Sequence, residues 1–275
     1  MKITAATKVV GVVGDPVRHS LSPVMHNGWI ADHGLDAVYV ALSLKSEDAE
    51  GALRALKQFG FAGLNVTVPH KEAAARAAGW TEGDAANVLR WELDGSLSAF
   101  NTDGLGFLKA LDECAPNWKA ETQSVLIVGA GGAARGIAQA ISPHVGRIVF
   151  ANRTRSRAEA AAAAFSLGRG EVLPWENLGQ GFAEADLIVQ ATALGMAGQP
   201  EIGWPLNRCK KHALVADIVY RPLETPLLRE ARAAGLATMD GLGMLIHQGA
   251  LAFELWFGIR PDTAKARARL LAALT

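Results

Sequence analysis

The sequence predicts a two-domain α/β protein, and three observations predict it. Short apolar runs alternate with helix-like stretches along nearly all of the 275 residues. The rhythm restarts after Asn101, where NTDGLGFLKALDECAPN leads through a polar linker into SVLIVGAGG. The length is sufficient for two ordinary cores. Alternation of this kind places helices in layers against sheets.

In the first third, KVVGVVG (8–14) reads as a buried strand. PVMHNGWIADHG (23–34) is a helix that Pro23 opens and Gly34 stops. AVYVALSL (37–44) is a strand, EDAEGALRALKQFG (47–60) a helix ending at Gly60, and FAGLNVTV (61–68) a third strand. A helix follows from about Lys71. Residues 88–101 read as a hairpin closed by a two-residue turn at Asp94-Gly95. The second unit starts with a helix from NTDG, then gives strands at 124–128, RIVFAN (147–152), DLIVQAT (186–192) and ALVADIVY (213–220). Helices are expected from the Gly-rich turn to Ile141, over SRAEAAAAAF (156–165), over 240–258 and over 263–274.

Composition narrows the function. Lys plus Arg and Asp plus Glu number 27 each, so the net charge is zero. That argues against a general nucleic-acid or anionic-membrane binder. No apolar run approaches the roughly 20 residues of a membrane span. The N-terminus reads as a first strand rather than a leader. Cys114 and Cys209 have no metal-type spacing and fit reduced thiols of a cytoplasmic protein. His19, His26 and His33 recur every seven residues without an acid or cysteine at ligand spacing, so no metal is expected.

Gly129-Ala130-Gly131-Gly132-Ala133-Ala134 fits G-x-G-x-x-G/A, directly after a strand and opening a helix. Gly129 permits the tight turn, Gly131 lets the backbone approach a pyrophosphate, and Ala134 keeps the helix close to the sheet. This predicts a Rossmann-like dinucleotide site. Its next strand would end in an acid for the ribose of NAD. Here it ends in Asn152-Arg153-Thr154-Arg155-Ser156-Arg157. Arg153 and Arg157 suit a 2′-phosphate and Thr154 can donate to it, so the expected cofactor is NADP.

A second set of polar residues lies in the first unit. Ser20 and Ser22 lie beside the helix start at Pro23, where a carboxylate could bind, although Ser22 taken alone reads rather as an N-cap. Asn65 and Thr67 share one side of their strand and lead to Lys71. Asn87 precedes the hairpin and Asp103 follows it. Lys71 is the odd member, a cation at the positive end of a helix. Together the set offers a polyhydroxylated small molecule several donors and acceptors and one acid/base group.

HSLSPVMHN, NVTVPHK, NTDG, GAGGAA, NRTRSRA, ATALGM, DIVYRPLETPLL and GLGMLIHQGA occur in this order between about residues 11 and 257. In these segments the chain resembles shikimate dehydrogenases. The resemblance implies a substrate domain over 1–103, completed by C-terminal helices at 241–275, an NADP domain over 104–240, and an active-site cleft between them. It implies Lys71 as acid/base with Asp103, and a substrate site of Ser20, Ser22, Asn65, Thr67, Asn87, Tyr220 and Gln248. Gly129, Ala130, Gly131, Gly132, Ala133, Asn152, Arg153, Thr154 and Arg157 would hold the adenosine phosphates, with Thr192, Ile218 and Gly241 near the nicotinamide. The implied reaction is reduction of 3-dehydroshikimate to shikimate on the route to aromatic amino acids. The helix N-terminus would disfavour the ammonium form of Lys71 and Asp103 would favour it, a balance the sequence leaves open.

Three features depart from the family pattern. Val88 stands where Thr is common, the Lys71–Asn87 segment is short, and Gln190 stands where Asn is common. These departures leave a quinate-preferring paralogue as an alternative. A non-catalytic NADP sensor is a separate alternative, and retention of both Lys71 and Asp103 counts against it. The expected partner is a small molecule, with a homodimer left open. A glutamyl-tRNA reductase-type domain shares the Gly-rich run but lacks HSLSPVMHN and NVTVPHK.

Overall fold

The computed structural model describes residues 3–45, 47–165, 169–196, 198–200 and 202–274. The chain divides into two compact units, Met1–Asp103 with Ile246–Thr275, and Gly104–Leu245.

The first unit contains β1 (Lys8–Gly14), α1 (Ser22–Asp32), β2 (Ala37–Ser43), α2 (Ala49–Ala55), β3 (Phe61–Val66), α3 (Lys71–Ala77), β4 (Val88–Trp91) and β5 (Leu97–Phe100). The sheet order is β2-β1-β3-β4-β5. β1 lies parallel to β2 and β3, and β4 is antiparallel to both β3 and β5. This mixture decides where the polar residues go. The C-terminal ends of β1 and β3, the start of β4 and the end of β5 all lie at one edge of the sheet. The register pairs Asn65 with Val88, and Val88 with Phe100. The loops carrying Ser20, Thr67, Asn87 and Asp103 leave from that edge. Gly14 permits the close approach there, since a Cβ would lie 2.3 Å from the Thr67 methyl carbon.

Local chemistry departs from the sequence reading at several points. The 47–60 helix is α-helical only to Ala55 and then tightens into a 3-10 turn, Leu56–Phe59, ended by Gly60 at φ +77°. The N-cap of α1 is Leu21 rather than Ser22, and the Ser20 hydroxyl accepts from the Ser22 N–H at 3.2 Å. β3 ends at Val66, so Thr67 lies just past the strand. The hairpin loop has three residues rather than two. Glu92 N–H donates to Ser96 O and Gly95 N–H to Glu92 O, with Gly95 at φ +90°. Asp94 accepts from both the Ser96 N–H and hydroxyl, which favours this longer turn.

The second unit contains most of α4 (Asp103–Cys114), then α5 (Trp118–Glu121), β6 (Ser124–Val128), α6 (Gly132–Ile141), β7 (Arg147–Ala151), α7 (Arg155–Ala163), β8 (Gly170–Leu173), α8 (Leu178–Glu184), β9 (Leu187–Gln190), β10 (Leu214–Asp217), α9 (Pro226–Ala233) and β11 (Ala237–Met239). Its six strands are all parallel, in the order β11-β10-β9-β6-β7-β8. This is the doubly wound order, with its switch point between β6 and β9. Apolar layers fill both faces, one around Phe107, Ile137 and Phe150, the other around Phe182, Val215 and Leu228.

Two C-terminal helices follow, α10 (Gly241–Phe257) and α11 (Thr263–Leu274). Trp256 donates to Leu89 O at 3.1 Å and packs over Gly63, where any Cβ would collide with the indole. Trp29 of α1 donates to Asp262 O at 3.0 Å. Between these helices and the sheet sits an aromatic cluster centred on His26, which is fully buried. Its ring stacks on Tyr39 at 4.2 Å and meets the edge of Trp29 at 5.1 Å. Neither ring nitrogen has a hydrogen-bond partner among the described residues, and burial pushes its pKa down to about 3.

Candidate active site

In the first unit, Lys71, Asp103, Asn87, Thr102 and Gln248 form one polar chain. Lys71 is the first residue of α3, and its Nζ forms an ion pair with Asp103 Oδ2. Both side chains are almost withdrawn from solvent, at 14% and 6% exposure. Asp103 opens α4, where a negative charge is favoured by the helix dipole. The cation that α3 disfavours is thus compensated by an acid that α4 favours.

Asn87 fixes the other side of Asp103. Its Nδ2 lies 2.9 Å from Asp103 Oδ1, 3.0 Å from Thr102 Oγ1 and 3.2 Å from Gln248 Oε1. Two hydrogens face three acceptors, so an incoming hydroxyl can exchange with the weakest contact. Asn87 Oδ1 accepts from the Thr102 N–H at 2.7 Å. The short Lys71–Asn87 segment is closed by Ala86 N–H donating to Lys71 O. Val88 is fully buried in β4.

Asn65 is also buried, its Oδ1 receiving the Tyr39 hydroxyl at 2.8 Å and its Nδ2 directed to Asn87 O at 3.3 Å. Thr67 and Ser20 are half-buried at the same sheet edge, and Ser22 is buried in the first turn of α1. That turn has no acidic residue. His70 is held structurally, with Nε2 donating to Leu44 O at 2.8 Å. Among the described residues no His, Cys, Asp or Glu cluster could hold a metal.

In the second unit, the Gly-rich turn joins β6 to α6. Gly129 takes φ +123°, and a Cβ there would lie 2.7 Å from Ala191 O. At Gly131 an added Cβ meets nothing within 4 Å, so the backbone is open to a bound group. Ala130 and Ala134 are buried, whereas Gly132 and Ala133 are half-buried at the start of α6. Beyond β7, Asn152 Nδ2 donates to Thr154 O at 2.8 Å. Arg153, Thr154 and Arg157 are exposed, and neither of these arginines has a carboxylate partner among the described residues. Arg155 instead pairs with Glu159. The open Gly131 backbone and the unpaired arginines fit the diphosphate and 2′-phosphate of NADP.

The end of β9 carries a network that the sequence reading did not assign. Gln190 and Asp217 are buried and bonded to each other at 3.1 Å. Gln190 also binds Thr192, while Ile218 and Tyr220 lie half-buried just after Asp217. An added Cβ on Gly241 would meet Ile218 O at 2.3 Å. Burial pushes the Asp217 carboxyl up to about 6, against hydrogen bonds that favour its charge.

Three family profiles match this chain. They are the shikimate dehydrogenase substrate binding domain over residues 12–88, shikimate / quinate 5-dehydrogenase over 112–219, and the shikimate 5′-dehydrogenase C-terminal domain over 241–271. The chain belongs to the shikimate dehydrogenase family. The shikimate dehydrogenase (NADP(+)) of Rhodospirillum rubrum is 46% identical over 273 residues, covering 96% of each chain. The shikimate 5-dehydrogenase of Thermus thermophilus, solved with NADP(H) and shikimate, has a TM-score of 0.85 at 37% identity, covering 97% of this chain and 100% of that one. A quinate dehydrogenase from Corynebacterium glutamicum, solved with NAD, has a TM-score of 0.86 at 33% identity, covering 97% and 99%. This member of the shikimate dehydrogenase family thus shares its fold with relatives named for shikimate and for quinate. No helix among its described residues is long and apolar enough to cross a membrane.

Thr102 and Tyr39 are the polar contributors in the first unit that sequence reasoning missed. Thr102 was signalled by its place before the α4 acid in NTDG. Tyr39 carried no local signal, because only the pairing of β2 and β3 with β1 brings it to Asn65.

Proposed function

We propose that the protein catalyses the reversible NADP-dependent reduction of 3-dehydroshikimate to shikimate, with Lys71 as the acid/base group. The carrying observation is the Lys71–Asp103 pair, with Asn87 on the second carboxylate oxygen. NADPH, when bound, would supply the hydride that reduces the ketone. Lys71 then donates an Nζ proton to the developing alkoxide, and in the oxidative direction takes the hydroxyl proton. Asp103 orients the ammonium and accepts from a ring hydroxyl. Asn87, Thr67, Asn65 and Gln248 bind the remaining hydroxyls, and Ser20 and Ser22 bind the carboxylate at the start of α1. Burial of Lys71 and Asp103 limits exchange of the transferred proton with bulk water.

Gly129–Ala133 bind the diphosphate, and Asn152, Arg153, Thr154 and Arg157 the adenosine with its 2′-phosphate. Thr192, Ile218 and Gly241 are assigned to the nicotinamide end. The test is turnover of pure protein on shikimate and quinate with NADP and NAD. The expected result is highest kcat/KM for shikimate with NADP. Preference for quinate would move the substrate assignment, and NADP binding without turnover on either acid would favour the sensor alternative.

A further inference from the structure

Gln190 and Asp217 stand opposite each other at the C-terminal ends of neighbouring strands, where the β9–β10 register pairs them. Their exposures are 0% and 1%. Gln190 Oε1 accepts from the Thr192 N–H at 2.5 Å and the Thr192 hydroxyl at 2.7 Å. Its Nε2 donates to Leu194 O at 2.8 Å and to Asp217 Oδ1 at 3.1 Å. Asp217 Oδ1 also accepts from the Val219 N–H at 2.9 Å, and Oδ2 from the Thr225 hydroxyl at 2.8 Å. Thr225 in turn caps α9 through the Leu228 N–H. Two buried side chains thus hold the segment 192–194, the segment 217–219 and the start of α9.

We propose that Gln190 and Asp217 are positioning residues that fix the two loops receiving the nicotinamide end of the cofactor. The inference rests on the dehydrogenase reading above. A carboxamide is required at 190 because one atom must accept from Thr192 while the other donates toward Asp217. Glutamate would set an oxygen against the Asp217 carboxylate, and leucine would leave Thr192, Leu194 and Asp217 without this partner. An unpaired carboxylate is costly to bury. Here it is kept by three donors, two of which shape the loops beyond β9 and β10. The adenosine end uses a different part of the unit, the Gly-rich turn and the loop after β7. A fault at Gln190 should therefore separate the two halves of cofactor binding.

The experiment compares Gln190→Leu, Gln190→Glu and Asp217→Asn with the wild type. Affinities are measured for NADPH and for 2′,5′-ADP, which carries the adenosine and 2′-phosphate but no nicotinamide. Displacement by about an ångström costs up to roughly a hundredfold in rate. Gln190→Leu and Gln190→Glu are expected to lower kcat about ten- to a hundredfold and to weaken NADPH, with 2′,5′-ADP affinity kept within about twofold. Asp217→Asn keeps an acceptor for Val219 and Gln190 but loses the charge that strengthens those bonds, so kcat and NADPH affinity are expected to fall in the same direction as in the Gln190 variants but by less, with 2′,5′-ADP affinity kept within about twofold. Parallel weakening of NADPH and 2′,5′-ADP would overturn the proposal, as would Gln190 variants that retain wild-type kcat. Absence of turnover in the wild type would remove the dehydrogenase reading alone, since the two binding measurements still decide this one.

Discussion

Replacing His26 with phenylalanine keeps an aromatic ring in the stack on Tyr39 but removes a group that resists protonation. The folded protein holds this imidazole fully buried with its pKa down to about 3, against 6.5 when unfolded. Because the folded value is depressed, its stabilising contribution is present above 6.5 and is lost as pH falls through the window between the two values. Linkage between pH 7 and pH 5 gives a loss of about 2 kcal/mol, almost independent of the folded value once that lies well below 5. Asp217 acts in the opposite direction, since its raised value makes the folded state take up a proton first as pH falls toward 6. That contribution is common to both proteins and cancels in their difference. Urea unfolding of wild type and His26→Phe at the two pH values should show the wild type losing about 2 kcal/mol more. Removing two buried nitrogens that have no hydrogen-bond partner among the described residues should also leave the variant at least as stable at pH 7. Equal losses in the two proteins, or a His26 ring resonance titrating near 6.5, would refute the reasoning.

Lys71→Ala should lower kcat by about a hundred- to ten-thousandfold while shikimate binding changes little, read by steady-state kinetics and calorimetry. Arg153→Ala and Arg157→Ala should each raise the KM for NADP about tenfold and leave that for NAD nearly unchanged. The two glycines of the turn should behave differently. Gly129→Ala places a Cβ against Ala191 O at a positive φ and should destabilise the fold by about 1–3 kcal/mol in urea. Gly131→Ala meets no protein atom, so it should leave the melting temperature unchanged but weaken NADP, measured by titration.

The fold class was legible because apolar runs, caps and glycines agree along most of the chain. Gly34, Gly60 and Gly95 all take positive φ where their helices or hairpin end. β8, β11 and α9 are absent from the sequence expectation. β8 and β11 have four and three residues, too short for a periodic pattern, and exist through pairing with β7 and β10. By contrast, α9 carries Thr225 and Pro226 as plain start signals, with the Thr225 hydroxyl accepting from Leu228 N–H. The hairpin loop was misjudged because Asp94-Gly95 fits two turn lengths, and the Asp94 bonds to Ser96 select the longer.

The cofactor motif was local, so sequence sufficed to place it: a strand, its glycines and the arginines of the next loop lie within one βαβ stretch. The polar chain around Lys71 was not local. Sequence determined that a lysine would open α3 against the helix dipole, and which polar residues were available. The family resemblance named Asp103 as its partner, but only the tertiary structure shows the direct contact, because Asp103 is 32 residues away and reaches Lys71 through the antiparallel return of β4 and β5. The same holds for the role of Gln190, which sequence marks only as a departure from the family pattern. Strand register sets it against Asp217, and burial makes each of their hydrogen bonds one that water does not replace.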